Sequence, residues 1–105
     1  MSNSTITAKV LLITNRYDDS EGETYSFKAY EFANGAILIP GESTNDWFFD
    51  SRDEYEPNGT DVNESIEETG ETTTFFTDKL AHSIEGSESE FGYEVGAKVR
   101  ELVGV

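Results

Sequence analysis

The sequence predicts a small α+β domain: a mostly antiparallel sheet of three to five strands with one or two helices, the C-terminal one packed on a sheet face. Three observations carry this. Runs rich in β-branched and aromatic residues recur through the first half of the chain, Asn34-Gly35 sits between two of them, and the helix-compatible patterns gather in the last third. At 105 residues the chain forms one domain, 1–105. Only 35% of it is hydrophobic, yet seven Phe, five Tyr and one Trp supply large burial units. Each stabilises by roughly 1.5–3 kcal/mol when fully buried. A disordered acidic chain is normally poor in such residues, so a folded domain is expected.

Thr5 to Thr14 is the first strand. Ile6, Ala8, Val10 and Leu12 share one face of an extended chain, and Leu11 and Ile13 partly fill the other, as in a central strand covered on both sides. Asn15 to Gly22 is a polar connection with Gly22 as its turn residue. From Thr24 to Ala33, Tyr25, Phe27 and Ala29 oppose Ser26 and Lys28. The apolar parity then switches at Tyr30 and Phe32, which signals either a bulge or cover on both faces. Asn34-Gly35 before Ala36–Ile39 predicts a hairpin with a two-residue turn, because both residues tolerate positive φ.

Asn45 to Asp50 reads as a short strand with Trp47 and Phe49 on one face and Phe48 on the other. Pro57 and Gly59 make Glu56–Asp61 a loop. Asp61 or Asn63 would then cap a turn of helix over Val62–Glu68, a piece acidic enough to stay loose. Thr72 to Thr77 is another strand. Asp78 to Glu85 fits a short helix with Leu80, Ala81 and Ile84 on one face, stopped at Gly86.

Two periods fit the last segment, 88–103. As a strand, Phe91, Tyr93, Val95, Ala97 and Val99 alternate without error; as a helix, Phe91, Val95, Val99, Leu102 and Val103 share a face. The flanks favour helix. Ser87 to Glu90 has the form of a capping box, Glu88, Glu90 and Glu94 lie at the N-terminal end, and Lys98 and Arg100 lie near the other. Gly104 would close it. Gly92 and Gly96 oppose this reading at about 1 kcal/mol each.

Charge dominates the composition. The chain has 22 acids against seven Lys and Arg and a net charge of −15. Glu42 to Glu71 holds eleven of the acids opposed by Arg52 alone, and Trp47-Phe48-Phe49 is embedded there. Charge this dense repels itself and calls for water or a cationic partner. It argues against nucleic acid or an anionic membrane as the direct ligand, because phosphate contacts need Lys and Arg. No stretch is long and apolar enough to span a bilayer, and the N-terminal residues lack a basic region followed by an apolar run. The expected compartment is the cytoplasm, or the host cytoplasm for a viral protein.

Residues that would carry catalysis are sparse. With no Cys and one His, His82, thiolate chemistry is excluded and a Ser–His–Asp site has little to build on. Asp18-Asp19 and Glu67-Glu68 read as solvated surface acids. A calcium loop framed on Gly59 places Ser65 where the closing Glu belongs, and one framed on Gly22 starts at Tyr17 and ends at Lys28. No glycine-rich phosphate loop is present. No metal site, no cofactor and no catalytic residue is therefore expected.

The reading is a small non-enzymatic binding protein. Its anionic face would occupy a basic groove on another protein, most naturally a nucleic-acid-binding enzyme or complex. The candidate partner-binding residues are Asp46, Trp47, Phe48, Asp50, Asp53, Glu54, Glu56, Asp61, Glu64, Glu67 and Glu68. The acids would meet Lys and Arg that otherwise hold phosphate, and an exposed member of the aromatic triplet would anchor the contact. The free protein would be a monomer or homodimer. In size and charge the chain resembles the small acidic inhibitors that phages make against host restriction, CRISPR or transcription enzymes, some of them nucleic-acid mimics. That resemblance lies in composition and assigns no residue. Two other readings remain open: a structural or assembly protein acidic for solubility or salt adaptation, and an enzyme using carboxylates and a divalent metal.

Overall fold

A computed structural model describes residues 4–17, 24–41, 45–55 and 62–104. It bears out the α+β class with one antiparallel sheet of five strands followed by two helices. The strands are β1 (Thr5–Tyr17), β2 (Thr24–Phe32), β3 (Ile37–Ile39), β4 (Trp47–Phe49) and β5 (Val62–Phe76). The helices are α1 (Thr77–Phe91) and α2 (Ala97–Leu102). In the sheet order β4-β3-β2-β1-β5, β1 lies between β2 and β5. Its apolar residues face both ways because both faces are covered.

The β1–β2 register runs unbroken from Ala8↔Phe32 to Arg16↔Thr24. The parity switch in β2 is therefore not a bulge. Phe32 is buried in one cluster and Ala29 in the other, on opposite faces of the sheet.

The hairpin at Asn34-Gly35 is present, but its turn is wider than two residues. The Gly35 N–H donates to the Phe32 carbonyl at 2.9 Å, and the Phe32 N–H to the Ala36 carbonyl at 2.9 Å. Gly35 has φ of 96°, and no described residue other than Gly has positive φ, so Asn34 stays on the right-handed side. Ala33 and Asn34 make the turn and Gly35 the left-handed residue after it. Asn34 works through its side chain instead: Oδ1 accepts from the Ala36 N–H at 3.1 Å and Nδ2 donates to the Lys98 carbonyl at 2.8 Å.

Two expectations fail along the chain. Val62–Glu68 is strand rather than helix, continuous with Thr72–Phe76 as β5. The thirteen residues of β1 need a second partner for their free backbone groups, and β5 supplies it from Tyr17↔Val62 to Thr5↔Phe76. Its register jumps once, between Lys9↔Thr72 and Leu11↔Glu68. Gly70 takes φ of 84° at the jump, while the Thr69 hydroxyl donates to the Val10 carbonyl at 2.9 Å and accepts from the Glu71 N–H at 3.1 Å.

The second failure is in the helices. α1 runs straight through Gly86 and the expected capping box, and ends at Gly92, where φ is 69°. Gly86 is there for space: a Cβ would sit 2.9 Å from Asn45 Oδ1. Ser87 caps nothing, since its side chain is fully buried and its hydroxyl donates to the Asp46 carbonyl. After Gly92 the chain is non-helical until α2, so 88–103 is one continuous helix no more than it is a strand.

α1 and α2 cover one sheet face, where Leu80, Ile84, Val99 and Leu102 pack on Ala8, Phe32, Leu38 and Phe48. The second face buries Leu11, Ile13, Ala29 and Ile37 under neither helix. β4 and β5 are opposite edges of the sheet among the described residues, joined in sequence by the segment 50–61. Within it, Ser51–Tyr55 lies on this second face. Tyr55 packs against the buried cluster and meets the Phe49 ring at 5.2 Å.

Candidate anionic interface

The described residues among those nominated from the sequence fall into three places. The first is the contact between β4 and the helices, where most of them are already engaged. Asp46 Oδ1 accepts from the Gly41 N–H at 3.4 Å and Oδ2 from the Ser83 hydroxyl at 3.0 Å. Asp50 Oδ1 accepts from the Val99 N–H at 3.1 Å, capping α2 from the position just after β4 because Gly96 has no side chain to do so. A Cβ at Gly96 would overlap that carboxylate. Phe48 is 2% exposed and belongs to the core, which corrects its nomination as a contact residue. Its N–H donates to the Tyr93 hydroxyl at 3.3 Å, and burial pushes the Tyr93 phenol above its ordinary pKa.

Trp47 is different. It remains 40% exposed, with its indole stacked on Phe91 at 3.8 Å between centroids and Tyr93 at 5.8 Å. Stacking fixes the ring while one part of it stays in water.

The second place is the turn over the uncovered face. The Glu54 N–H donates to the Ser51 hydroxyl at 3.2 Å and the Asp50 N–H to Glu54 Oε2 at 2.9 Å, leaving Asp53 and Glu54 exposed. Arg52 turns the other way. It grips Glu31 with two bonds, Nε to Oε2 at 2.7 Å and Nη2 to Oε1 at 2.9 Å. It also lies 3.6 Å from Glu68 on β5, which Lys9 approaches at 3.4 Å. The one base of the acidic stretch thus ties the turn to β2 and β5.

The third place is β5, where Glu67, Glu68 and Glu71 are exposed. Glu67 pairs across from Leu12 and Glu68 from Leu11, so the two point to opposite faces at the sheet margin. Glu64 pairs with Asn15 in the same strand. Glu56 and Asp61 lie outside the described residues. The structure therefore brings Asp53 and Glu54 toward Glu68 through Arg52, and leaves Asp46 and Asp50 apart. Sequence reasoning missed Glu71 as a member and Arg52 as the tie; the exposure of Glu71 on β5 and the ion pairs of Arg52 with Glu31 and Glu68 reveal them.

Those two bonds hold the Glu31 carboxyl below the ordinary carboxylate range, against an opposing push from burial. A lowered carboxyl pKa stabilises the fold above the unfolded value of 4.5 and stops doing so as pH falls through the folded value. We expect Glu31→Gln to cost about 1–2 kcal/mol near pH 7, at the low end for a charged pair because Arg52 is half-exposed. Urea melts should show the gap to wild type closing below about pH 4; a gap still full at about pH 3 contradicts this role.

His82 is exposed on α1, beside an open groove lined by Asn45, Asp78, Lys79, Ser83 and Gly86. No group of three or more metal-capable side chains converges among the described residues. Comparison with known protein families, with characterised proteins and with solved structures finds no match to this chain.

Proposed function

We propose that this chain is a small non-enzymatic binding protein whose anionic surface occupies the basic, nucleic-acid-binding groove of a partner protein. An inhibitor of a host defence enzyme, of the kind phages make against restriction or CRISPR systems, is the biological form that fits its size and charge. The observation that carries the reading is the pairing of the Ser51–Tyr55 turn with β5. Asp53 and Glu54 are exposed in the turn that Arg52 ties to Glu68, Glu67 and Glu71 are exposed on the same strand as Glu68, and Arg52 and Lys9 are drawn onto Glu31 and Glu68. Trp47 stands four strand spacings from β5, roughly 19 Å, a span that a groove-sized contact covers.

A field of one sign raises association rates and makes them fall with salt. Single exposed acids matter little, at about 0–1 kcal/mol each. Reversing Asp53, Glu54, Glu67 and Glu68 together to Lys should slow association with a partner captured from host lysate by about tenfold or more. Free DNA should compete for the partner without binding this chain. Direct binding of DNA or RNA by the purified chain, or an unchanged association rate at low salt, refutes the proposal.

One observation favours the solubility reading. Asp78, Glu85, Glu90 and Glu101 on α1 and α2 and Glu94 between them are also exposed, so acidity is not confined to the turn and β5. Under that reading the fourfold reversal lowers solubility and no partner is captured.

A further inference from the structure

β5 has one long side that no strand among the described residues covers. An open edge is a row of unpaired N–H and C=O groups, which proteins normally guard with charge, bulges or Pro. Here the guard is partial. Glu67, Glu68 and Glu71 and the register jump protect the first part of the edge. Beyond them Thr72-Thr73-Thr74-Phe75-Phe76 has no charge, no Gly and no Pro, and every residue in it is β-branched or aromatic. Thr72, Thr74 and Phe76 are exposed, Phe76 by 45%.

The phase of the ladder is fixed by the Thr77 N–H, which donates to the Ser4 carbonyl at 3.0 Å. Backbone groups alternate in direction along an antiparallel strand. Phe75 and Thr73 therefore turn theirs to β1, while Phe76, Thr74 and Thr72 turn theirs outward.

We propose that this edge joins two copies of the chain, Thr72–Phe76 pairing antiparallel with itself about a twofold axis through Thr74. The two sheets become one of ten strands. Thr74 exchanges both backbone bonds with Thr74 of the second copy, and Thr72 does so with Phe76. On one face Phe76 lies beside Thr72 of the other chain, and on the opposite face Phe75 lies beside Thr73, both favourable aromatic–β-branched pairs. No acid meets an acid, since Glu71 falls beside Thr77. A twofold contact needs a surface complementary to itself, and this run has that property. A basic strand would instead match the acidic part of β5 and gain nothing here.

The inference is independent of the basic-partner reading, and salt separates the two. Two chains of net charge −15 repel, and only charges within a Debye length, about 8 Å at 0.15 M, escape screening. Salt therefore strengthens this contact and weakens the other.

The test is sedimentation of the full chain at about 20 mM and about 0.5 M NaCl. The expected mass is 11.7 kDa at low salt and twice that at high salt. Thr74→Pro removes an outward N–H at a position where an edge strand tolerates Pro, and Thr74→Glu puts like charges face to face. Each should raise the dimer dissociation constant about tenfold or more, with the circular dichroism spectrum unchanged and capture of a basic partner retained. Should Thr74→Pro fail to fold, Thr74→Glu alone decides. A wild-type monomer at high salt overturns the proposal, as does a dimer that survives Thr74→Glu.

Discussion

Replacing Phe48 with Ala should lower the stability of the domain by about 3–5 kcal/mol, the largest effect expected of any single change here. The ring is 2% exposed and packs in the cluster that joins β4 to Leu80, Ile84 and Val99, so its loss leaves a cavity between sheet and helices. A domain of this size has only about 5–15 kcal/mol in total. Its melting temperature should fall by roughly 12 °C or more. Trp47→Ala is the control. The indole is 40% exposed and stacks mainly on Phe91, and its removal should cost only about 1–2 kcal/mol. Thermal melts showing equal losses for the two would contradict their placement.

Gly96→Ala should destabilise by about 2–3 kcal/mol, although Gly→Ala usually stabilises. Conformation is not the reason, because Gly96 has φ of −79°, open to any residue. Space is the reason. The new Cβ would displace the Asp50 carboxylate from the Val99 N–H, so α2 loses its cap and the neighbouring chain is overpacked. Asp50→Ala loses the cap alone, worth about 1–2 kcal/mol. The two changes share one cause and should not add: Gly96→Ala in the Asp50→Ala background should cost well under 1 kcal/mol, roughly. Full additivity in chemical denaturation would show that the carboxylate and the glycine are not coupled.

Legibility in the sequence tracked how local the deciding force was. The hairpin at Asn34-Gly35 and the two-faced β1 were readable because turn chemistry and strand period act over a few residues. Val62–Glu68 was not, since only Val62 and Ile66 within it favour strand and acids and amides surround them. It is extended because β1, far away in sequence, offers it backbone bonds. Gly86 looked like a stop signal, and only contact with Asn45 shows it to be a space-saver inside α1. The acids follow the same logic. Asp46 and Asp50 look identical in kind to Asp53, yet Ser83 and Val99 claim them across 37 and 49 residues. Charge density was legible; which charges stay free for a partner was not.

The place of β5 beside β1 also orders the assembly of the sheet in time. Thr14 and Ser26, which touch across β1 and β2, are 12 residues apart, whereas Lys9 and Glu68 across β1 and β5 are 59 apart. Closing the longer loop costs roughly 1.5 kcal/mol more in chain entropy before any contact is made. The local hairpin is therefore the less costly nucleus, and one side of β1 stays bare until the acidic strand arrives. During that interval the strand that carries Leu11 and Ile13 is an exposed edge, and the −15 charge of the chain then serves to hold nascent copies apart.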